Sequence, residues 1–143
     1  MQSRKNRVYI ASKLGPMEEQ VRTLRDELTR RGYVIIYDWT EHPVQKPFAE
    51  HVEEAHAAAE AMAEAVRCCD ILIVLCAPNG LGMHIETGGA LVTSIILSFI
   101  TKQEQKQIYV IGDGNERSVF YFHRSVTRLP SEAALLELLP DID

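Results

Sequence analysis

Asp70-Ile-Leu-Ile-Val-Leu-Cys76 sets five branched aliphatic side chains in an unbroken row. A strand with one face in water alternates apolar and polar residues. One so uniformly apolar needs cover on both faces, as a central strand of a parallel sheet has. Parallel neighbours need crossovers of a dozen residues or more, usually helical. The flanking sequence supplies them. Before the run, Phe48, Val52, Ala55, Ala59, Met62, Val66 and Cys69 step by fours and threes, so one stripe of a long Ala-rich helix starting at Pro47 faces a core. After it, Gly80 and Gly82 mark a loop, and a second long helix spans roughly Met83 to Lys102.

The ends of the chain repeat the alternation. Arg7 to Ser12 reads as a buried strand closed by Gly15-Pro16. Proline suits a first helical turn, and Glu18 and Glu19 sit where the helix dipole favours negative charge. Met17, Val21, Leu24 and Leu28 follow at helical spacing, Gly32 stops the helix, and Tyr33 to Asp38 is a second β-rich run. Thr40 to Pro47 is a polar loop. Gln107 to Gly112 is a fourth strand, Val126 to Leu129 a candidate short fifth, and Pro130-Ser131 opens a last helix through Leu139. Residues 1–143 are therefore expected to form one α/β domain. The expected architecture is three-layered and flavodoxin- or Rossmann-like, with a parallel sheet of four or five strands in the order 2-1-3-4-5.

Composition narrows the function classes. The 143 residues carry a net charge of −5, and the basic run Arg4, Lys5, Arg7 is short, which argues against a nucleic-acid partner. The residues before Arg7 lack the apolar region of a signal peptide. Gly88 to Ile100 is the longest apolar stretch, below the ~20 residues of a membrane span, and Thr93, Ser94 and Ser98 interrupt it. The expectation is a cytoplasmic protein with no membrane partner. Cys68, Cys69 and Cys76 read as reduced core thiols. Neither they nor the five histidines have metal-ligand spacing, so no metal and no cofactor is expected.

In open parallel sheets, ligands bind beyond the carboxyl ends of the strands where strand order reverses. That rule selects Ser12 to Gly15 and Ala77 to Glu86. Asn79-Gly80-Leu-Gly82 leads into a helix whose first turn or so carries Glu86, and Gly80 and Gly82 allow backbone close to a ligand. On the residues alone, Glu86 reads equally well as a surface glutamate complementing the dipole. Trp39 reads either as a base-stacking ring, with Asp38 or Thr40 at the polar edge, or as packing at the sheet end. His84 is a substrate contact or a helix cap, Asn79 a ligand contact or a turn residue. His123 reads as a packing histidine. Gly88 to Ile100 is apolar nearly all round, which implies burial on more than one side and, in a small domain, a second copy of the chain against the surplus face.

These residues resemble the nucleoside 2-deoxyribosyltransferase superfamily, which includes 2′-deoxynucleoside 5′-phosphate N-hydrolases. The likeness rests on Gly80-Leu-Gly82 followed by Glu86-Thr-Gly88-Gly-Ala90. It extends to Tyr9-Ile-Ala-Ser12, Gly32-Tyr-Val and Cys69-Asp70. The resemblance implies cleavage or transfer at a ribose or deoxyribose C1′, with Glu86 as nucleophile. It implies a small nucleoside or nucleotide as ligand, with Ser12, Lys13 and Gly15 near its 5′-phosphate or ribose. It also implies sites completed across subunits, with residues after the fourth strand, Asp113 to Arg117, reaching a neighbour's site. The chain departs from the family where a second acid is often found eight residues before Asp70: Met62 stands there, with His56 and Glu60 as nearby substitutes. TIR domains share the layout and also use a glutamate. Three readings follow: an N-glycosidase or deoxyribosyltransferase, a TIR-like NAD glycohydrolase, and a non-catalytic nucleotide-binding module.

Overall fold

The computed structural model describes residues 5–142. Five strands, β1 (Arg7–Ala11), β2 (Val34–Ile35), β3 (Ile71–Leu75), β4 (Gln107–Ile111) and β5 (Val126–Leu129), form one sheet in the order β2-β1-β3-β4-β5, every pair parallel. The order is the one expected. β3 lies at the centre with all five residues buried, which is why its sequence carries no polar alternation.

Four helices cover the sheet: α1 (Glu18–Arg30), α2 (Val52–Cys68), α3 (Gly82–Thr101) and α4 (Glu132–Leu138). α2 and α3 pack together on one face. On the other, α1 meets α4, where the Arg31 guanidinium donates to the carbonyls of Leu136 and Leu139. α1 ends at Gly32, whose φ of +92° satisfies the left-handed turn a side chain would strain. A Cβ there would also sit 3.1 Å from the Ile142 carbonyl oxygen. Between β1 and β3, the Arg7 guanidinium and its backbone N–H clamp the Asp70 carboxylate at 2.9–3.1 Å.

Several segments depart from the sequence reading. β2 is two residues long, not six, because the chain leaves the sheet edge at Ile36 and turns through a 3-10 turn at Trp39–Glu41. α2 starts at Val52, after a separate 3-10 turn at Phe48–Glu50, and its apolar stripe divides. Val66 and Cys69 are buried in the core, whereas Phe48 and Val52 are exposed. Cys68 is half-buried rather than in the core, its thiol donating to Glu64 at 3.2 Å. His123 is exposed and accepts the Ser125 N–H. Arg4 lies outside the described residues.

α3 is buried along one side only, through Met83, Thr87, Ala90, Leu91 and Ser94. Its other side exposes Ile85, Val92, Ile95, Ile96, Phe99 and Ile100. By length and composition α3 is apolar enough to cross a membrane, and in this fold it lies against the sheet.

Candidate active site

A cleft of about 540 Å³ opens beyond the carboxyl ends of β1 and β3, where the strand order reverses. Its walls are the loop after β1, the first turns of α3, the inner side of α2 and the segment between Trp39 and Phe48. Met62 and three alanines of α2 (Ala55, Ala58, Ala59) give it an apolar side. The first half of the α2 stripe therefore faces a cleft instead of the core.

Glu86 is the fifth residue of α3, one position beyond the first turn. That position rotates its side chain inward, so it is half-buried and lines the cleft; it is not a surface glutamate. The Tyr9 hydroxyl donates to Oε1 of Glu86 at 2.6 Å. Tyr9 lies in the middle of β1 with no exposed surface. Burial pushes the Glu86 carboxyl up to about 7, against the opposing pull of the Tyr9 hydrogen bond. The phenol is driven far above its ordinary value, first by burial and then by the neighbouring carboxylate. Among the described residues, Oε2 of Glu86 makes no hydrogen bond, which leaves that oxygen available to a ligand.

The expected site residues separate into two groups. Ser12, Lys13, Trp39, Asn79, Gly80 and Gly82 line the cleft with Glu86. Several of them already have partners: the Ser12 hydroxyl donates to the Leu75 carbonyl at 2.9 Å and the Lys13 ammonium to that of Pro78 at 3.2 Å. Trp39 is only 2% exposed and donates through Nε1 to the Ile10 carbonyl, so one residue packs the sheet end and forms part of the cleft wall. Asn79 holds a left-handed turn with φ of +59°.

Gly15, Asp38 and His84 do not line the cleft. The Gly15 N–H is taken by the Glu18 carboxylate, and Asp38 is held by Arg25 at 2.6 Å and by Thr40. His84 projects elsewhere from α3 and shares a 2.6 Å hydrogen bond with the buried Tyr121 hydroxyl. His56 and Glu60 pair with each other on the exposed side of α2, outside the cleft. Asp113 and Arg117 border a different groove, with Cys76.

Sequence reasoning missed Tyr9, Val44, Lys46 and Phe48 as lining residues. The available signal for Tyr9 was a polar-tipped ring inside an otherwise aliphatic strand, since a buried phenol needs a partner. Lys46 and Phe48 had no comparable signal, because a loop's course is not written in its periodicity. Their side chains meet at the cleft mouth, the ammonium 5.6 Å from the ring centroid.

No family model matches the chain, and no curated protein does. Among solved structures, the chain is similar to the CMP N-glycosidase BcmB of Clostridium botulinum, with a TM-score of 0.55 and 19% identity over 93% of this chain and 97% of that one. At that identity the likeness establishes a shared fold.

Proposed function

We propose that this protein breaks the N-glycosidic bond of a nucleoside or nucleotide, by hydrolysis or by transfer of the (deoxy)ribosyl group, with Glu86 as nucleophile. The observation that carries the reading is the Tyr9–Glu86 pair: a half-buried carboxyl raised to about 7 and fixed through one oxygen, inside a cleft at the switch point. Strongly perturbed carboxyls in clefts mark candidate functional sites. Similarity to a CMP N-glycosidase supports the same chemistry.

In this mechanism Oε2 attacks C1′ as the C1′–N bond breaks, and the bonding pair leaves with the base. The glycosyl ester is then opened by water or by a second base. The Tyr9 hydrogen bond orients the carboxylate and stabilises its charge. Lys13 and Lys46 bring positive charge to the rim, suited to a 5′-phosphate, and the exposed Phe48 offers a ring face to the base beside the Trp39 wall. In the same proposal, a second copy of the chain covers the exposed side of α3, giving a two-fold dimer.

The test is base release, followed by chromatography, from deoxynucleosides, nucleoside monophosphates and NAD. The intact protein is expected to release base from at least one substrate, and Glu86→Gln to lose that release. Ligand binding without release by the intact protein would replace the proposal with the binding-module reading, which Met62 at the expected position of a second acid favours.

A further inference from the structure

Glu86 is the sole carboxyl among the described residues lining the cleft, and the lining contains no histidine or cysteine. This matters for the leaving group. When a neutral nucleobase departs, its nitrogen takes the bonding pair and becomes an anion unless an acid supplies a proton. A base already carrying a positive charge at the glycosidic nitrogen departs neutral and needs no proton.

None of the other polar groups lining the cleft is a carboxyl, imidazole or thiol. The Tyr9 proton is engaged with Glu86, and the Ser12 hydroxyl with the Leu75 carbonyl. The Lys13 ammonium, which holds the Pro78 carbonyl, and Lys46, over the Phe48 ring, stand at the rim assigned to the phosphate. Asn79 has no acidic proton. Glu86 cannot give a proton in the same step in which it attacks as a carboxylate. The α2 wall is Met62 with Ala55, Ala58 and Ala59, none of which has a proton to give.

Resting on the glycosidase reading, we infer that the substrate class is N-glycosides with a cationic leaving base, such as a pyridinium nucleotide, whose departure requires no general acid. The charges balance. The cationic glycoside and the Glu86 carboxylate give a neutral base and a neutral glycosyl ester. Water then attacks C1′, its proton passes to solvent, and Glu86 departs as carboxylate. The Phe48 ring at the mouth already receives an ammonium, and an aromatic face holds a flat organic cation by the same attraction.

The experiment compares nicotinamide mononucleotide with CMP, which share a 5′-phosphoribosyl group and differ in the charge of the base. General-acid assistance is worth about 10²–10⁴-fold. An acid-free cleft is therefore expected to cleave the pyridinium nucleotide at least about 100-fold faster, by kcat/KM, than CMP. Met62→Asp, which sets a carboxyl on the α2 wall, is expected to raise CMP cleavage about tenfold and narrow that ratio. A ratio below about 100-fold in the intact protein would overturn the inference and leave the glycosidase reading standing. Cleavage of neither would overturn both.

Discussion

The Tyr9 hydroxyl donates a 2.6 Å hydrogen bond to Oε1 of Glu86 across a sequence separation of 77 residues. The bond ties the middle of β1 to the second turn of α3, so the same sheet that buries Tyr9 fixes the carboxylate at the cleft. Burial and this hydrogen bond oppose each other on Glu86, and burial wins, leaving the group near 7.

If Glu86 acts as a carboxylate, activity rises with pH as the group ionises. The acid limb of kcat/KM is therefore expected at about pH 7. Tyr9→Phe removes the one hydrogen bond that favours the charged form. A hydrogen bond to a charged group contributes about 1.5–3 kcal/mol, equivalent to about one to two pKa units. The limb should move to higher pH by that amount, with activity at pH 7 reduced about 5- to 50-fold. A pH–rate profile of the two proteins checks this. An unmoved limb would show that Tyr9 does not tune the carboxylate.

The same shift has a stability consequence of opposite sense to the usual acidic residue. Glu86 binds its proton more tightly folded than unfolded, so its effect on stability is harmless below the ordinary value of 4.5 and grows as pH rises toward about 7. Above that the full penalty, up to about 3 kcal/mol, is present. Glu86→Gln keeps an oxygen for Tyr9 and removes the charge. It is expected to raise the urea midpoint at pH 8 and to leave it nearly unchanged at pH 4.

Much of this architecture was legible because periodicity reports burial. The aliphatic run at β3 and the alternation of strands with helices gave the parallel sheet and its layers, and the order 2-1-3-4-5 came from the flavodoxin-like pattern. β2 was overextended because Ile36 and Tyr37 are β-formers, while the chain is turned away by tertiary contacts, among them the Trp39 bond to Ile10. The candidate cleft was legible as a location, since the switch point follows from topology, and Glu86, Ser12, Lys13 and Gly80 line it together. Which way each side chain points was less legible. His84 lies two residues before Glu86 and faces Tyr121 instead, because residues two apart do not share a helix face. Asp38 is a good ligand by chemistry, but the chain folds back on α1 after β2 and Arg25, 13 residues earlier, takes its carboxylate.

Trp39 ties the cleft wall to β1 through the Ile10 carbonyl, 2.8 Å from its ring nitrogen. Trp39→Phe leaves that buried carbonyl without its donor, a loss of about 1–3 kcal/mol. Urea unfolding should show a lower midpoint with an unchanged slope. Substrate affinity should fall as well, because the ring forms part of the cleft wall.

Asp70 is placed to make stability fall in acid. Burial acts to raise its carboxyl, and the Arg7 side-chain and backbone hydrogen bonds together hold it below the usual range. Its contribution is present above the unfolded value and is lost as pH falls through the depressed folded value. Because the Arg7 side chain is half exposed, the pair is expected to contribute only about 1 kcal/mol. Asp70→Asn should lower stability by that amount at pH 7 and flatten the decline below pH 4, as read from unfolding curves across that range.

The exposed side of α3 sets the last expectation. Ile85, Val92, Ile96 and Phe99 form one row, with Phe99 88% exposed, and no charged residue lies between Thr87 and Thr101. Nothing in that row would repel an identical row on a second copy, and a two-fold axis brings the same residues together without leaving an open end. The chain should therefore elute at twice its mass of 16.1 kDa in light-scattering chromatography. Phe99→Lys places two ammonium groups at that contact and should return the protein to a monomer with its fold intact by circular dichroism. A monomer at tens of micromolar in the unmodified protein would instead leave the apolar row without a role in self-association.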